Sequence, residues 1–221
     1  MNKILAFDSS TNSCSVAISY GQNTVFFEQE MRPSMQAERL MVMIENALKS
    51  AGIDYSDLTH LAVTIGPGSF TGIRIGMSVA EGITYATGIK AIGITNFDTA
   101  LYRLVQQVKL FDYAIIVLEA YRNQQYVQIF DKNLNSNMLP KLVNNDEIAT
   151  LISSLNGKKV CAGSGLASVY NQVKDIDDIM ILPRFKTIKA LHIARHADDI
   201  INNGTTKPLA PLYIRPPDVS M

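Results

Sequence analysis

Charge imbalance is the first thing this 221-residue sequence lacks: twenty lysines and arginines stand against twenty aspartates and glutamates, and neither sign forms a run. A chain that gripped nucleic acid unaided would ordinarily be basic and carry a patch, so direct RNA or DNA binding is not expected. No window approaches the length of a membrane span. The opening MNKILAFDSS lacks the charged, apolar, small-residue succession of a signal peptide, because Asp8 interrupts its apolar run. Cysteine is scarce. Cys14 and Cys161 lie far apart and outside any motif, so they read as small buried residues of a protein kept in a reducing cytoplasm. Of three histidines, His192 and His196 have the i, i+4 spacing that could chelate zinc. They lack a nearby Cys or third His, and only Asp198 and Asp199 are close, so a surface or capping role is expected. His60, ahead of an apolar run, reads as structural. No GxSxG or similar context supports a hydrolase triad.

What is present is a chain 47% hydrophobic, enough for one substantial core or two small ones. Its organising stretch is GPGSFTGIRIGMSVAEGI, Gly66 to Ile83. The run from His60 to Ile65 reads as a strand that enters Gly66-Pro-Gly-Ser-Phe-Thr-Gly72, and a helix follows. Three glycines in seven residues allow positive φ and close backbone approach. The helix start offers free N–H groups and a positive dipole end, which is anion-binding geometry. This is not a Walker loop, since Ile73 stands where Lys is needed, and the glycine spacing is not that of the dinucleotide fingerprint. Gly72, Gly76 and Ala80 form one small-residue row on that helix, and Ser78, Gly82 and Ala86 form another. One smooth side should meet the sheet, and the other a helix of this chain, of a second copy or of another protein.

Along the chain, Lys3–Asp8, Cys14–Tyr20 and Thr24–Met31 read as strands joined by polar turns. A helix is expected from Pro33-Ser34 to about Ala51, with Ser34 as N-cap and Gly52 as the stop. Its core stripe is Leu40, Ile44, Ala47, Leu48 and Ala51, yet Met41, Val42 and Met43 make its middle apolar nearly all round, so more than one face should be buried. After the glycine-loop helix come a strand at Lys90–Ile94 and a helix from about Asp98 to Val108. The second half repeats the scheme: strands at 113–120, 125–131 and 137–143, a helix at 146–155, a strand at 158–162 ending in Gly163-Ser-Gly165, a helix at 166–173, a strand at 178–182 and a helix at 188–203. Two similar α/β lobes follow, residues 1–100 and 101–221, with a cleft between them and an extended proline-marked tail.

Asp8 with Ser9, Ser10 and Thr11 reads two ways. A carboxylate, hydroxyls and turn amides can hold phosphate and its metal, and an Asp can equally accept bonds from its own turn. Ser10, Thr11, Gly66, Gly68, Ser69 and Gly72 join Asp8 as candidate nucleotide or phosphate contacts. The matching place in the second lobe, Glu119 to Gln125, has no glycine and a crowded set of side chains, which weighs against autonomous ATP hydrolysis. Met31, Met35, Met41, Met43 and Met77 read either as core filling or as an adaptable interaction surface.

Ile4 to Ile18 together with GPGSFTGIRIG, Gly66 to Gly76, resembles the bacterial TsaB (YeaZ) family, and the likeness extends to Glu119-Ala-Tyr-Arg122 with Tyr126, Gly163–Gly165 and Pro211–Arg215. The resemblance implies a two-lobed actin/sugar-kinase/Hsp70-like fold, each lobe a mixed sheet flanked by helices. It implies an accessory, non-catalytic subunit in making threonylcarbamoyladenosine in tRNA, partner to a catalytic TsaD homologue and completed by the ATPase TsaE. Contact with tRNA only through the complex and no cofactor of its own are expected with it. A further reading is a homodimeric binding module with a vestigial cleft, because the same helix seam could pair two copies when the partner is missing. An ATP or ADP site shared with partners is left open. The relative's metal-binding histidine pair maps onto Asn96 and Ala100, which rules out that metal site. The family interface carries over onto Met35, Arg39, Leu40, Met43, Ile73, Arg74, Met77, Ala80 and Glu81. Relatives usually have His where Met35 stands and Asp where Glu119 stands. The alternative is a free-standing ATPase or small-molecule kinase of the same fold, using Asp8, Thr11 and Gly163–Gly165.

Overall fold

The computed structural model describes residues 1–31, 36–182, 185 and 187–215. Met35, the Ser34 cap and the last prolines therefore lie outside the described residues. The chain divides into two units, Met1–Thr99 with Ile188–Tyr213, and Ala100–Thr187 with the chain from Ile214 onward.

In the first unit β1 (Lys3–Asp8), β2 (Cys14–Tyr20), β3 (Asn23–Glu30), β4 (His60–Thr64) and β5 (Lys90–Ile94) form a sheet in the order β3-β2-β1-β4-β5. β1 runs antiparallel to β2 and parallel to β4, which is parallel to β5. Parallel strands need both faces covered, and β1 is accordingly apolar on both. Leu5 and Phe7 face a core with Leu40, Met43, Ile44 and Ala47 of α1 (Gln36–Ala51) and Ala80 and Ile83 of α2 (Phe70–Thr87). Ile4 and Ala6 face the other way, with Ala62, Ile92 and Ile94, onto Ile193, Ala194 and Ala197 of the C-terminal helix Ala190–Asn202. That helix, read from sequence as part of the second lobe, belongs to the first unit. The reason is burial, since Ile193, Ala194 and Ala197 cover the apolar outer face of β1, β4 and β5. Asn2 and Gln22 fasten the helix by donating to Asp198 at 2.8 and 3.1 Å.

In the second unit β6 (Tyr113–Glu119), β7 (Gln124–Asp131), β8 (Ser136–Asn144), β9 (Lys159–Ala162) and β10 (Ile179–Ile181) pair in the order β10-β9-β6-β7-β8. This repeats the first sheet strand for strand: three antiparallel strands, then two parallel ones. α4 (Asn145–Ser153) and α5 (Leu166–Val173) bury Ile148, Ile152, Leu166, Val169 and Val173 against Ile115, Val117, Val127 and Ile129. α3 (Asn96–Val105) starts directly after β5, two residues earlier than the sequence pattern suggests, with Thr95 Oγ1 accepting from the Asp98 amide at 2.9 Å.

Candidate functional site

β1 ends at Asp8, and the polar turn that follows folds back over its carboxylate. Oδ1 accepts from the Ser10 amide at 3.0 Å, the Ser10 hydroxyl at 2.5 Å and the Thr64 hydroxyl at 2.6 Å, while Oδ2 accepts from Thr11 at 3.1 Å. Asp8 is fully buried, and burial pushes its carboxyl above the ordinary Asp value while the ring of donors pulls it back. The Ser10 and Thr11 bonds are those of an Asp held by its own turn, and the Thr64 bond ties that turn to the end of β4.

The glycine loop closes over that turn. Gly66 leaves β4 with φ +106°, a conformation open to glycine. The Ser69 amide donates to the Ser10 carbonyl at 2.8 Å, and Ser9 Oγ donates to the Gly72 carbonyl at 2.8 Å. A Cβ on Gly68 would stand 2.1 Å from the Ser10 carbonyl oxygen, and one on Gly72 would stand 2.0 Å from that of Ser9. The motif's glycines therefore admit the chain's own backbone. Ser69 caps α2 by accepting from the Gly72 amide at 3.2 Å, which occupies part of the predicted anion-binding end. Asp8, Ser10, Gly66 and Gly72 are buried in this closed arrangement, whereas Thr11, Gly68 and Ser69 reach the surface.

Asn96 locks the two turns together. Its Nδ2 donates to Ser10 Oγ at 2.8 Å and to the Pro67 carbonyl at 2.7 Å, and its amide donates to the Gly66 carbonyl at 2.8 Å. The sequence reading saw this position as one where a metal-binding histidine is replaced, not as an organiser. The available signal was an amide side chain right after the buried strand β5, where a polar group needs partners.

The C-terminal segment of the first unit straps this region from outside. The Leu212 amide donates to the Ile65 carbonyl at 2.7 Å, and Leu209 packs on Ile65, Ile73 and Met77. Tyr213 then stacks on Phe70, the first residue of α2, with ring centroids 5.1 Å apart. Arg74 lies over the other part of this group, its guanidinium carbon 3.8 Å from the Phe70 centroid and its Nε donating to Tyr213 Oη at 3.3 Å.

The two helices assign the expected interface residues to different layers. Leu40, Met43, Ile73, Met77 and Ala80 are buried in the chain's own core. Arg39 is half-buried and paired with Glu30. Arg74 and Glu81 are exposed. The Gly72–Gly76–Ala80 row faces inward, against Ser9 and Val63 at Gly76, whereas at Gly82 in the other row an added Cβ meets nothing within 4 Å among the described residues. Ser78, Gly82 and Ala86 are exposed, Tyr85 is 96% exposed beside them in the helix, and Met41 and Val42 are exposed on α1. The residues that reach the surface are thus one or two positions away from several of those the sequence pointed to, because α1 and α2 each turn their most apolar stripe to the sheet.

In the second unit the corresponding turn is filled. A Cβ on Gly163 would stand 2.0 Å from the Val117 carbonyl oxygen, and one on Gly165 would stand 2.1 Å from Gln125 Oε1. Ser164 Oγ accepts from the Glu119 backbone amide at 3.1 Å, and Glu119 itself is exposed. Tyr121, Arg122 and Asn123 take successive left-handed φ values of 58°, 55° and 59°, pinned where Asn145 donates twice to Asn123. Cys14 and Cys161 are buried free thiols, each pushed up to about 12 by burial. Among the described residues no group of three metal-ligating side chains exists, and no helix is long and apolar enough to cross a membrane.

Comparison with known proteins adds a family and a fold. Residues 34–179 match the family model TsaD, tRNA N6-adenosine threonylcarbamoyltransferase. The tRNA threonylcarbamoyladenosine biosynthesis protein TsaB of Escherichia coli is 36% identical over 97 residues, which are 44% of this chain and 42% of that protein. With its Haemophilus influenzae counterpart the aligned part is 51% of the relative, so the chain spans about half the length of the curated relatives it matches. A Pseudomonas aeruginosa protein described by its similarity to peptidase YeaZ superposes with TM-score 0.81 at 21% identity, over 97% of this chain and all of that one. A putative N-acetylmannosamine kinase from Listeria monocytogenes superposes with TM-score 0.55 at 12% identity, over 91% of this chain and 99% of that one. The shared frame is the actin/sugar-kinase type.

Proposed function

The chain belongs to the TsaB (YeaZ) family, within the wider TsaD family whose model it matches, and from that premise we propose that it is a non-catalytic activating subunit in threonylcarbamoyladenosine formation on tRNA. It docks a catalytic TsaD homologue through the outer faces of α1 and α2, with the ATPase TsaE completing the assembly and tRNA reached through the complex. The same seam pairs two copies when the partner is missing. Any ATP or ADP binds at a site shared with partners.

The observation that carries this reading is the open row on α2. Ser78, Gly82 and Ala86 are exposed and small enough to admit a second backbone, with nothing among the described residues within 4 Å of a Cβ on Gly82. Tyr85, 96% exposed, is the kind of large rigid side chain that anchors interfaces. The rival, a free-standing ATPase or kinase, gains little from Asp8, whose carboxylate is sealed by Ser10, Thr11 and Thr64, or from a Gly163–Gly165 turn already occupied by its own chain.

The test is threonylcarbamoyl transfer to tRNA by the matching TsaD, TsaE and TsaC-type synthase, with and without this protein. ATP hydrolysis by each protein alone is measured in parallel. Transfer that depends on this chain, is lost with Gly82→Trp and accompanies no ATP turnover by the chain alone supports the proposal. Transfer indifferent to the chain, with ATP turnover abolished by Asp8→Ala, moves the function to Asp8.

A further inference from the structure

Resting on the docking reading above, we propose that Tyr213 is a positioning residue that presents Arg74 as a preformed guanidinium for a carboxylate on the docking protein. Arg74 and Phe70 are one turn apart on α2, and the guanidinium carbon lies 3.8 Å over the Phe70 ring. Tyr213 closes this group from a segment 139 positions further along the chain, holding Phe70 by its ring and Arg74 Nε by its hydroxyl at 3.3 Å. The preceding residue, Leu212, is bonded to Ile65 at 2.7 Å, so the tyrosine is itself fixed to the end of β4.

Stacking and the Nε bond use one face and one edge of the guanidinium. Among the described residues no acceptor is bonded to its two terminal nitrogens, and Arg74 is exposed. That leaves a flat fork of donors whose natural complement is a carboxylate, held bidentate. An exposed arginine ordinarily loses rotamer freedom on docking, and a stacked one has already lost much of it. The positive end of α2 adds to the attraction for an anion. A nucleic-acid backbone fits the surroundings less well, because Glu81 stands two turns along the same helix and Glu38 and Glu45 are exposed on α1. The occupant inferred is therefore a protein helix lying on the Ser78–Gly82 row with an Asp or Glu placed against Arg74.

The experiment measures the dissociation constant between the full chain and its purified TsaD homologue by calorimetry at two salt concentrations. Tyr213→Phe, which keeps the ring stack and removes the bond to Arg74, should weaken binding about three- to tenfold. Arg74→Gln should weaken it more, and Arg74→Glu more again. Adding Tyr213→Phe to Arg74→Gln should bring no further loss, which separates positioning from a general structural role. The Arg74 effect should shrink at high salt. If Tyr213→Phe binds like the unaltered protein while Gly82→Trp does not bind, the docking reading stands and the positioning role is overturned. If the two losses add independently, Tyr213 acts by another route and the proposal is also overturned. Equal binding by Arg74→Gln and Arg74→Glu removes the opposing carboxylate. If Gly82→Trp binds normally too, the docking reading fails first.

Discussion

The Gly72 Cα and the Ser9 carbonyl oxygen are so close that a side-chain carbon on Gly72 would stand 2.0 Å from that oxygen. Neither partner is a flexible side-chain end, so the clash cannot be relieved by a rotamer change. Gly72→Ala should therefore force the β4–α2 loop away from the β1–β2 turn, at a cost of about 1–3 kcal/mol or more. On the same helix Gly82→Ala meets open space and gains helix propensity, about 0.5–1 kcal/mol. Urea unfolding of the two variants should give shifts of opposite sign. Equal or like-signed shifts would show that the glycine loop does not press on the turn.

Asp8 supports a pH prediction whose sign is set by burial. Its folded-state carboxyl is raised from 3.8, so the native state holds the proton more tightly than the unfolded chain does. The protonated form thus contributes stability at low pH that is lost as pH rises through the folded-state value. Asp8→Asn keeps an acceptor for Ser10 and Thr64 and has no charge to bury. The variant's stability relative to the native protein should therefore grow upward from about pH 4 and then level off. Denaturant unfolding between pH 4 and 8 reads this directly, and a relative stability that falls with pH would overturn the assignment.

Cys14 and Cys161 yield a chemical prediction. Thiols pushed up to about 12 are almost wholly protonated at pH 8, and both are buried. Mass spectrometry after iodoacetamide treatment should find no adduct on the folded protein and two after unfolding. Rapid labelling of either thiol in the folded state would mean that its surroundings open readily.

Much of this fold was legible in the sequence, and particular residues show where legibility stopped. The succession of strands and helices along each half followed from polar turns joining the first three strands and helical patterns joining the rest, whereas the pairing of β4 with β1 and of β9 with β6 left no local mark. Helix boundaries drifted where caps are side-chain details, as at Thr95 and α3. The placement of the C-terminal helix was not legible. Nothing local in Ile193, Ala194 or Ala197 says which sheet they meet, and the clue lay far away in the two-sided burial of β1. Ile193→Ala should accordingly destabilise the first unit by about 2–5 kcal/mol, as a large-to-small change in a closed core does. At the candidate site the residue types around Asp8 were legible, but not that its turn and the glycine loop seal each other through backbone, since carbonyl positions leave no mark on side-chain identity.

The same limit governs the proposed docking face, where two residues of α2 allow a structural role to be told from a contact role. Ala80 is fully buried against Leu40, Met43 and Ile44, so Ala80→Trp should overpack the core and lower the unfolding midpoint, with any loss of partner binding following from loss of structure. Gly82 is exposed with free space around it, so Gly82→Trp should leave the unfolding curve almost unchanged while its indole fills the room a docking helix would need. Co-elution with the TsaD homologue and urea unfolding, run on both variants, distinguish the two effects. Lost co-elution with an intact unfolding curve for Gly82→Trp identifies the outer row as the contact surface, and retained co-elution would move that surface off α2.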